Sequence, residues 1–204
     1  MRFHQLLEGH SRRHIMSQDE VTNLIRTQGA KWIKLTRGRP LYRGLRGSPE
    51  DGYADAIVYE SYPISRVPTH SSEETQKVYD EILSQKNAKA LRSNSVFVTS
   101  SENDALFYSD GATPEPFVFV ALGDFHYSFI SGVQDLYGDW TEESNADVYV
   151  SDEETTRRLM KKISDKIHVD EKLSLAIKNQ DEVYVTGNNG YMLVDQAVYN
   201  RAIG

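Results

Sequence analysis

The sequence predicts an α+β fold, and three observations support that class. Serine-led capping boxes open three amphipathic runs. Several short segments are rich in branched and aromatic residues. Helical and strand-like segments are segregated rather than strictly alternating, with most of the strands after Ser95. A doubly wound parallel sheet would require alternation.

Taken in order, the first helix start is Ser17-Gln-Asp-Glu20, which precedes Val21, Leu24 and Ile25 in a run ending at Gly29. Ser71-Ser-Glu-Glu74 opens a second run through Val78, Tyr79, Ile82 and Leu83. Ser151-Asp-Glu-Glu154 opens a third with Leu159, Met160 and Ile163. In each box the serine hydroxyl accepts an orphan backbone N–H, and the glutamate three residues on reaches back. Leu173 to Ile177 adds a further helical turn or two. Strands are expected at Leu41–Gly44, Ala56–Tyr59, Ser95–Thr99, Phe117–Leu122, Glu182–Thr186 and Tyr191–Val194. Gly187-Asn-Asn-Gly190 has a hairpin-turn composition and predicts that the last two strands pair. No repeat or low-complexity linker divides the 204 residues, so one domain over 16–204 is expected, with 1–15 as an N-terminal arm.

Composition excludes several chemistries. There is no cysteine, which removes disulfides, Cys-ligated metal and thiol catalysis. No G-x-x-x-x-G-K-[ST] loop, no G-x-G-x-x-G fingerprint and no G-x-S-x-G elbow occurs. Of the six histidines only His10 and His14 share helical spacing, in a polar arm, so no metal is expected. The start lacks the apolar core of a signal peptide, and no apolar run is long enough to span a membrane. A cytoplasmic location is the expectation.

The net charge of −7 conceals an asymmetry. Residues 21–49 carry seven basic side chains and no acidic one. Residues 93–156 carry thirteen acidic side chains and neither Lys nor Arg. Such segregation predicts unequal faces: a positive strip able to hold phosphate and an acidic stretch suited to a basic partner.

Three segments carry the remaining chemistry. Tyr42-Arg43-Gly44 sets a phosphate-matching guanidinium on an apolar strand. Phe97-Val98-Thr99-Ser100-Ser101 runs a branched strand into three hydroxyls. Gln180-Asp181-Glu182 puts carboxylates at a strand entrance. Thr99 follows Arg43 by 56 residues and Glu182 follows Thr99 by 83. Locally, each has an ordinary structural explanation: an edge salt bridge, a helix cap and a solvated strand end.

In this order the three segments resemble the arginine, Ser-Thr-Ser and Gln/Glu-x-Glu motifs of the mono-ADP-ribosyltransferases. The resemblance covers about Leu41 to Val194. Ser65-Arg-Val-Pro-Thr69 and Val133-Gln-Asp-Leu-Tyr137 are similar to small bacteriophage proteins of this transferase type. The resemblance implies two small packed, mostly antiparallel sheets with flanking helices, and NAD as co-substrate. Glu182 would steady the oxocarbenium-like ribose through a ribose hydroxyl, and Thr99, with Ser101 sharing the work and Ser100 beside them, would orient Glu182 or bind the ribose. Arg43 would hold phosphate or ribose. Gly44 would let the backbone approach the nicotinamide amide, and Phe107, Tyr108 or Tyr127 would stack on its ring. Gln180, in the acceptor-selecting position, disfavours arginine as the target. Thr99 departs from the family serine; it keeps the hydroxyl but restricts χ1. A protein acceptor is favoured over a nucleic acid. An NAD glycohydrolase and a non-catalytic phage structural or host-interaction module are the alternatives.

Overall fold

A computed structural model describes residues 12–13, 16–45, 54–66, 73–109, 115–134 and 153–204. Most of the expected N-terminal arm, Arg46, the capping serines Ser71 and Ser151, Val67–Thr69 and Asp135–Tyr137 lie outside the described residues. The fold is α+β, with two antiparallel sheets and flanking helices. The chain forms two compact units. The first comprises described residues within 63–96 and 126–186, and the second those within 12–62, 97–125 and 187–204.

In the second unit, β1 (Arg12–Arg13), β2 (Tyr42–Arg43), β3 (Ala56–Tyr59), β5 (Phe117–Ala121) and β9 (Tyr191–Val194) form a five-stranded sheet in the order β1-β3-β9-β5-β2. Every ladder is antiparallel, with Val58 and Val120 each opposite Met192 in the centre. β3, β5 and β9 are buried along their whole length, which explains their unbroken apolar sequences. Helices α1 (Gln18–Thr27), α2 (Ala30–Thr36), α4 (Glu102–Phe107) and α7 (Gln196–Ile203) complete the unit. The predicted box at Ser17 is formed: Glu20 N–H donates to the Ser17 hydroxyl and the Glu20 carboxylate accepts from Ser17 N. Trp32 of α2 meets Phe119 and Phe125 edge-on, both at 5.2 Å, and its indole N–H donates to Phe119 O. Such pairs contribute about 0.5–1.5 kcal/mol each beyond simple burial.

The four-stranded sheet has the order β4 (Val96–Val98), β8 (Val183–Gly187), β6 (Phe125–Ile130) and β7 (Ile167–Val169). Helix α3 (Glu73–Gln85) buries Val78, Tyr79, Ile82 and Leu83. Its Glu81 pairs at 2.8 Å with Arg157 of α5 (Glu153–Ile163). Helix α6 (Leu173–Asn179) leads into β8.

Two expectations change. Tyr191–Val194 does not form a hairpin with the strand before it, because β8 and β9 belong to different sheets. Each is an interior strand with neighbours on both sides, so Gly187-Asn-Asn-Gly190 is a crossover. Gly190 permits it, with φ of +75° and a backbone so close to Tyr59 that a Cβ would collide with its carbonyl oxygen. The other change is at Gly29, which ends the first helix and also starts α2. A Cβ there would lie 2.8 Å from Val120 Cγ1.

Candidate functional site

The candidate residues divide between the units. Seven lie in the second. Leu41 O accepts Phe119 N–H, fixing β2 against β5. On its other side Tyr42 forms an antiparallel bridge with Thr99: Tyr42 N donates to Thr99 O at 2.6 Å, and Thr99 N to Tyr42 O at 3.1 Å. The arginine segment and the hydroxyl segment are therefore side by side. Arg43 is half-buried and donates from Nη1 to Phe97 O at 3.2 Å.

The hydroxyls shape the turn that follows. Thr99 is 6% exposed, and its Oγ1 accepts Ser101 N–H at 3.1 Å. Ser101 caps α4, accepting Asp104 N–H at 3.3 Å. Ser100 between them is half-buried. Helix α4 ends in Phe107, 79% exposed, which meets Tyr108 edge-to-face at 5.8 Å. Burial, reinforced by Glu102, raises the Tyr42 phenol above its ordinary value against an opposing hydrogen bond from Gln196.

Gly44 has a structural reason to be glycine. A Cβ would collide with Ala105 O, with Ser109 N only 2.9 Å away. Gly44→Ala is expected to lower stability by about 1–3 kcal/mol through overpacking against α4. Urea denaturation reads the loss, and an unchanged midpoint would show that α4 is free to move aside.

Three candidates lie in the first unit. Tyr127 is buried at 4% exposure and its phenol is pushed up to about 12, chiefly by burial and then by Asp170 and Glu171. Gln180 closes α6 in the left-handed region at φ +63°, with its side chain exposed. Asp181 is fully buried; its Oδ1 accepts Gly132 N–H at 2.9 Å and its Oδ2 accepts from Asn179 at 3.4 Å. Glu182 N–H donates to Val133 O. The strand entrance is thus stitched to the loop after β6, and Glu182 is buried at 8% exposure rather than solvated.

Glu182 is held by a residue that sequence reasoning missed. Arg92 Nη1 lies 3.4 Å from Glu182 Oε2 and 3.3 Å from the Tyr184 hydroxyl. Its guanidinium carbon sits 5.4 Å from the Tyr79 ring centre and 5.5 Å from that of Tyr184. The Arg92 and Ser93 backbone N–H groups donate to Asp80 Oδ1, anchoring the turn. Burial opposes the Arg92 charge, but Tyr184, Glu182 and Tyr79 outweigh it and raise its pKa further. The group can fix the orientation of a carboxylate in a shielded place. Arg92 is the last cation before the Lys- and Arg-free stretch, the one signal that pointed to it.

Asp181 gives a pH prediction. Burial raises its pKa above 3.8, although hydrogen bonds from Gly132 and Asn179 oppose the rise. Between the unfolded and the raised folded values, the folded state keeps a proton that the unfolded state has lost. Stability contributed by this group therefore falls as pH rises through that window. Denaturation midpoints across the acidic range should show this fall in wild type and not in Asp181→Asn. Parallel profiles would refute it.

Among the described residues, no three His, Asp or Glu side chains are grouped as a metal ion requires, and no helix is long and apolar enough to cross a membrane. Comparison with protein-family models, curated proteins and solved structures finds no match to the chain.

Proposed function

We propose that the protein is an NAD-dependent mono-ADP-ribosyltransferase that moves ADP-ribose to a macromolecular acceptor other than arginine, with a protein favoured. The observation that carries the reading is the Tyr42–Thr99 bridge, which lays the Arg43 segment beside the hydroxyl segment, 56 residues later in the chain. The buried, arginine-held carboxylate of Glu182 supports it independently.

The reaction breaks the bond between ribose C1′ and the nicotinamide nitrogen. Nicotinamide leaves with the bonding pair, and an acceptor nucleophile, losing its proton, takes its place. Positive charge grows on the ribose as it does in glycoside cleavage. A carboxylate fixed near that charge stabilises the transition state more than the ground state. Glu182 is assigned that role through a ribose hydroxyl. In the second unit, Arg43 answers to the family's phosphate-side arginine, and Thr99 and Ser101 to its ribose-side hydroxyls. Phe107 or Tyr108 stacks on the nicotinamide.

Incubation with adenylate-labelled NAD and a cell lysate tests the assignment. Released nicotinamide with protease-sensitive label is the expected result. Nuclease-sensitive label would make the acceptor a nucleic acid, and free ADP-ribose as sole product would make the protein an NAD glycohydrolase. Absence of all three overturns the reading.

One observation favours a second, non-catalytic reading, an interaction module: Thr99 and Ser101 both already serve the α4 turn. That reading expects no NAD-dependent rise in melting temperature, whereas an NAD-binding protein is stabilised by mass action.

A further inference from the structure

We propose that the corner formed by the end of α2 and the turn after it is a docking surface for the phosphodiester backbone of a DNA duplex. The corner lies wholly within the second unit. Lys34 sits in the last turn of α2, Arg37 caps the helix, and Arg39 follows two positions on. Helix α7 buttresses the turn from behind: its Tyr199 donates to Gly38 O at 3.3 Å, and a Cβ on Gly38 would lie 3.6 Å from Ile203 Cδ1. All three side chains are exposed, and none forms a salt bridge among the described residues. Lys31, one turn earlier, differs in that Asp124 neutralises it at 2.9 Å.

A second observation comes from the backbone. Arg37 closes α2 in the left-handed region, at φ +57° and ψ +38°, directly before Gly38 at φ +72°. Glycine or asparagine ordinarily takes such a position; a long β-carbon side chain costs about 1–2 kcal/mol there. The turn is nonetheless rigid, with Arg37 N–H donating to Lys34 O, Gly38 N–H to Ile33 O and Arg39 N–H to Thr36 O. Arg37 thus presents its charge from a strained, well-fixed turn.

The chemistry favours phosphate over a protein partner. Two of the three cations are arginine, whose fork matches phosphate oxygens. The exposed apolar residues at the corner, Leu35 and Ile203, are each only 37% exposed, and no aromatic anchor of the kind protein interfaces rely on stands among them. With no ring to stack on bases, the patch suits the outside of a duplex. The chain's net charge of −7 does not prevent this, because screening confines each charge to about 8–10 Å at physiological salt. The inference stands apart from the NAD reading.

Fluorescence anisotropy of a short labelled DNA duplex tests it with the full chain. At about 50 mM salt, binding should weaken at least about tenfold in the triple variant Lys34→Gln/Arg37→Gly/Arg39→Gln, and the log–log salt slope should fall by about 3. Arg37→Gly alone should weaken binding without lowering the melting temperature, since glycine relieves the turn. Three results would overturn the proposal: no duplex binding by wild type, equal binding by the triple variant, or equally tight binding of polyglutamate.

Discussion

Glu182→Gln should lower nicotinamide release from NAD by about a hundred- to a thousandfold, the loss typical when one fixed group that stabilises developing charge is removed. Glutamine is the informative substitution because its amide oxygen still accepts from Arg92 Nη1, so the packing around Tyr184 is kept while the negative charge is lost. The melting temperature should stay near that of wild type. The effect should fall on kcat more than on KM, because the charge it answers exists only in the transition state. Undiminished turnover in a folded Glu182→Gln protein would remove Glu182 from the chemistry. A loss confined to KM would make it a binding residue.

The other large effect concerns stability. Arg92→Met should cost about 3–5 kcal/mol, the range for a buried pair that loses one partner. Both side chains are well shielded, at 15% and 10% exposure for Arg92 and Glu182. Methionine keeps an adaptable apolar filling between Tyr79 and Tyr184, so lost packing contributes little. What remains is a carboxylate in a shielded site without its guanidinium. The double variant Arg92→Met/Glu182→Gln should recover a substantial part of the loss, because an amide is easier to bury than a carboxylate. Urea denaturation of the two single variants and the double variant closes the cycle. A loss under about 1 kcal/mol for Arg92→Met would place the pair among weak surface contacts. Additive losses would show that the two residues act separately.

Element by element, the sequence was most informative where structure is local. The box at Ser17 is formed as predicted, because its hydroxyl and the Glu20 carboxylate act over three residues. Ala56–Tyr59 and Tyr191–Val194 are strands with the expected ends, because unbroken branched and aromatic residues suit a strand buried on both faces. Helices α2 and α7 were not foreseen: the glycine that reads as a stop at position 29 also opens the next helix. Strands β6 and β7 were likewise missed; β7 is only three residues long and shows no period.

The candidate site divides along the same line. Residue types and order announced the Arg43, Thr99 and Glu182 segments, since a guanidinium, a hydroxyl and a carboxylate have chemistry that can be read without coordinates. Burial could not be read. A Gln-Asp-Glu run looks solvated by composition, yet Asp181 and Glu182 are enclosed because Gly132 and Val133, about fifty residues earlier, take up their polar groups.

By itself, then, the sequence determined the α+β class, the helix start at Ser17, the charge asymmetry and the absence of cysteine chemistry. Those depend on neighbours a few positions apart or on composition alone. Only the tertiary structure decided that Tyr42 meets Thr99, that β8 and β9 join different sheets, and that Arg92 holds Glu182 across 90 residues. Such pairings follow from which apolar faces bury each other and which polar groups must then find partners, and no local pattern encodes that choice.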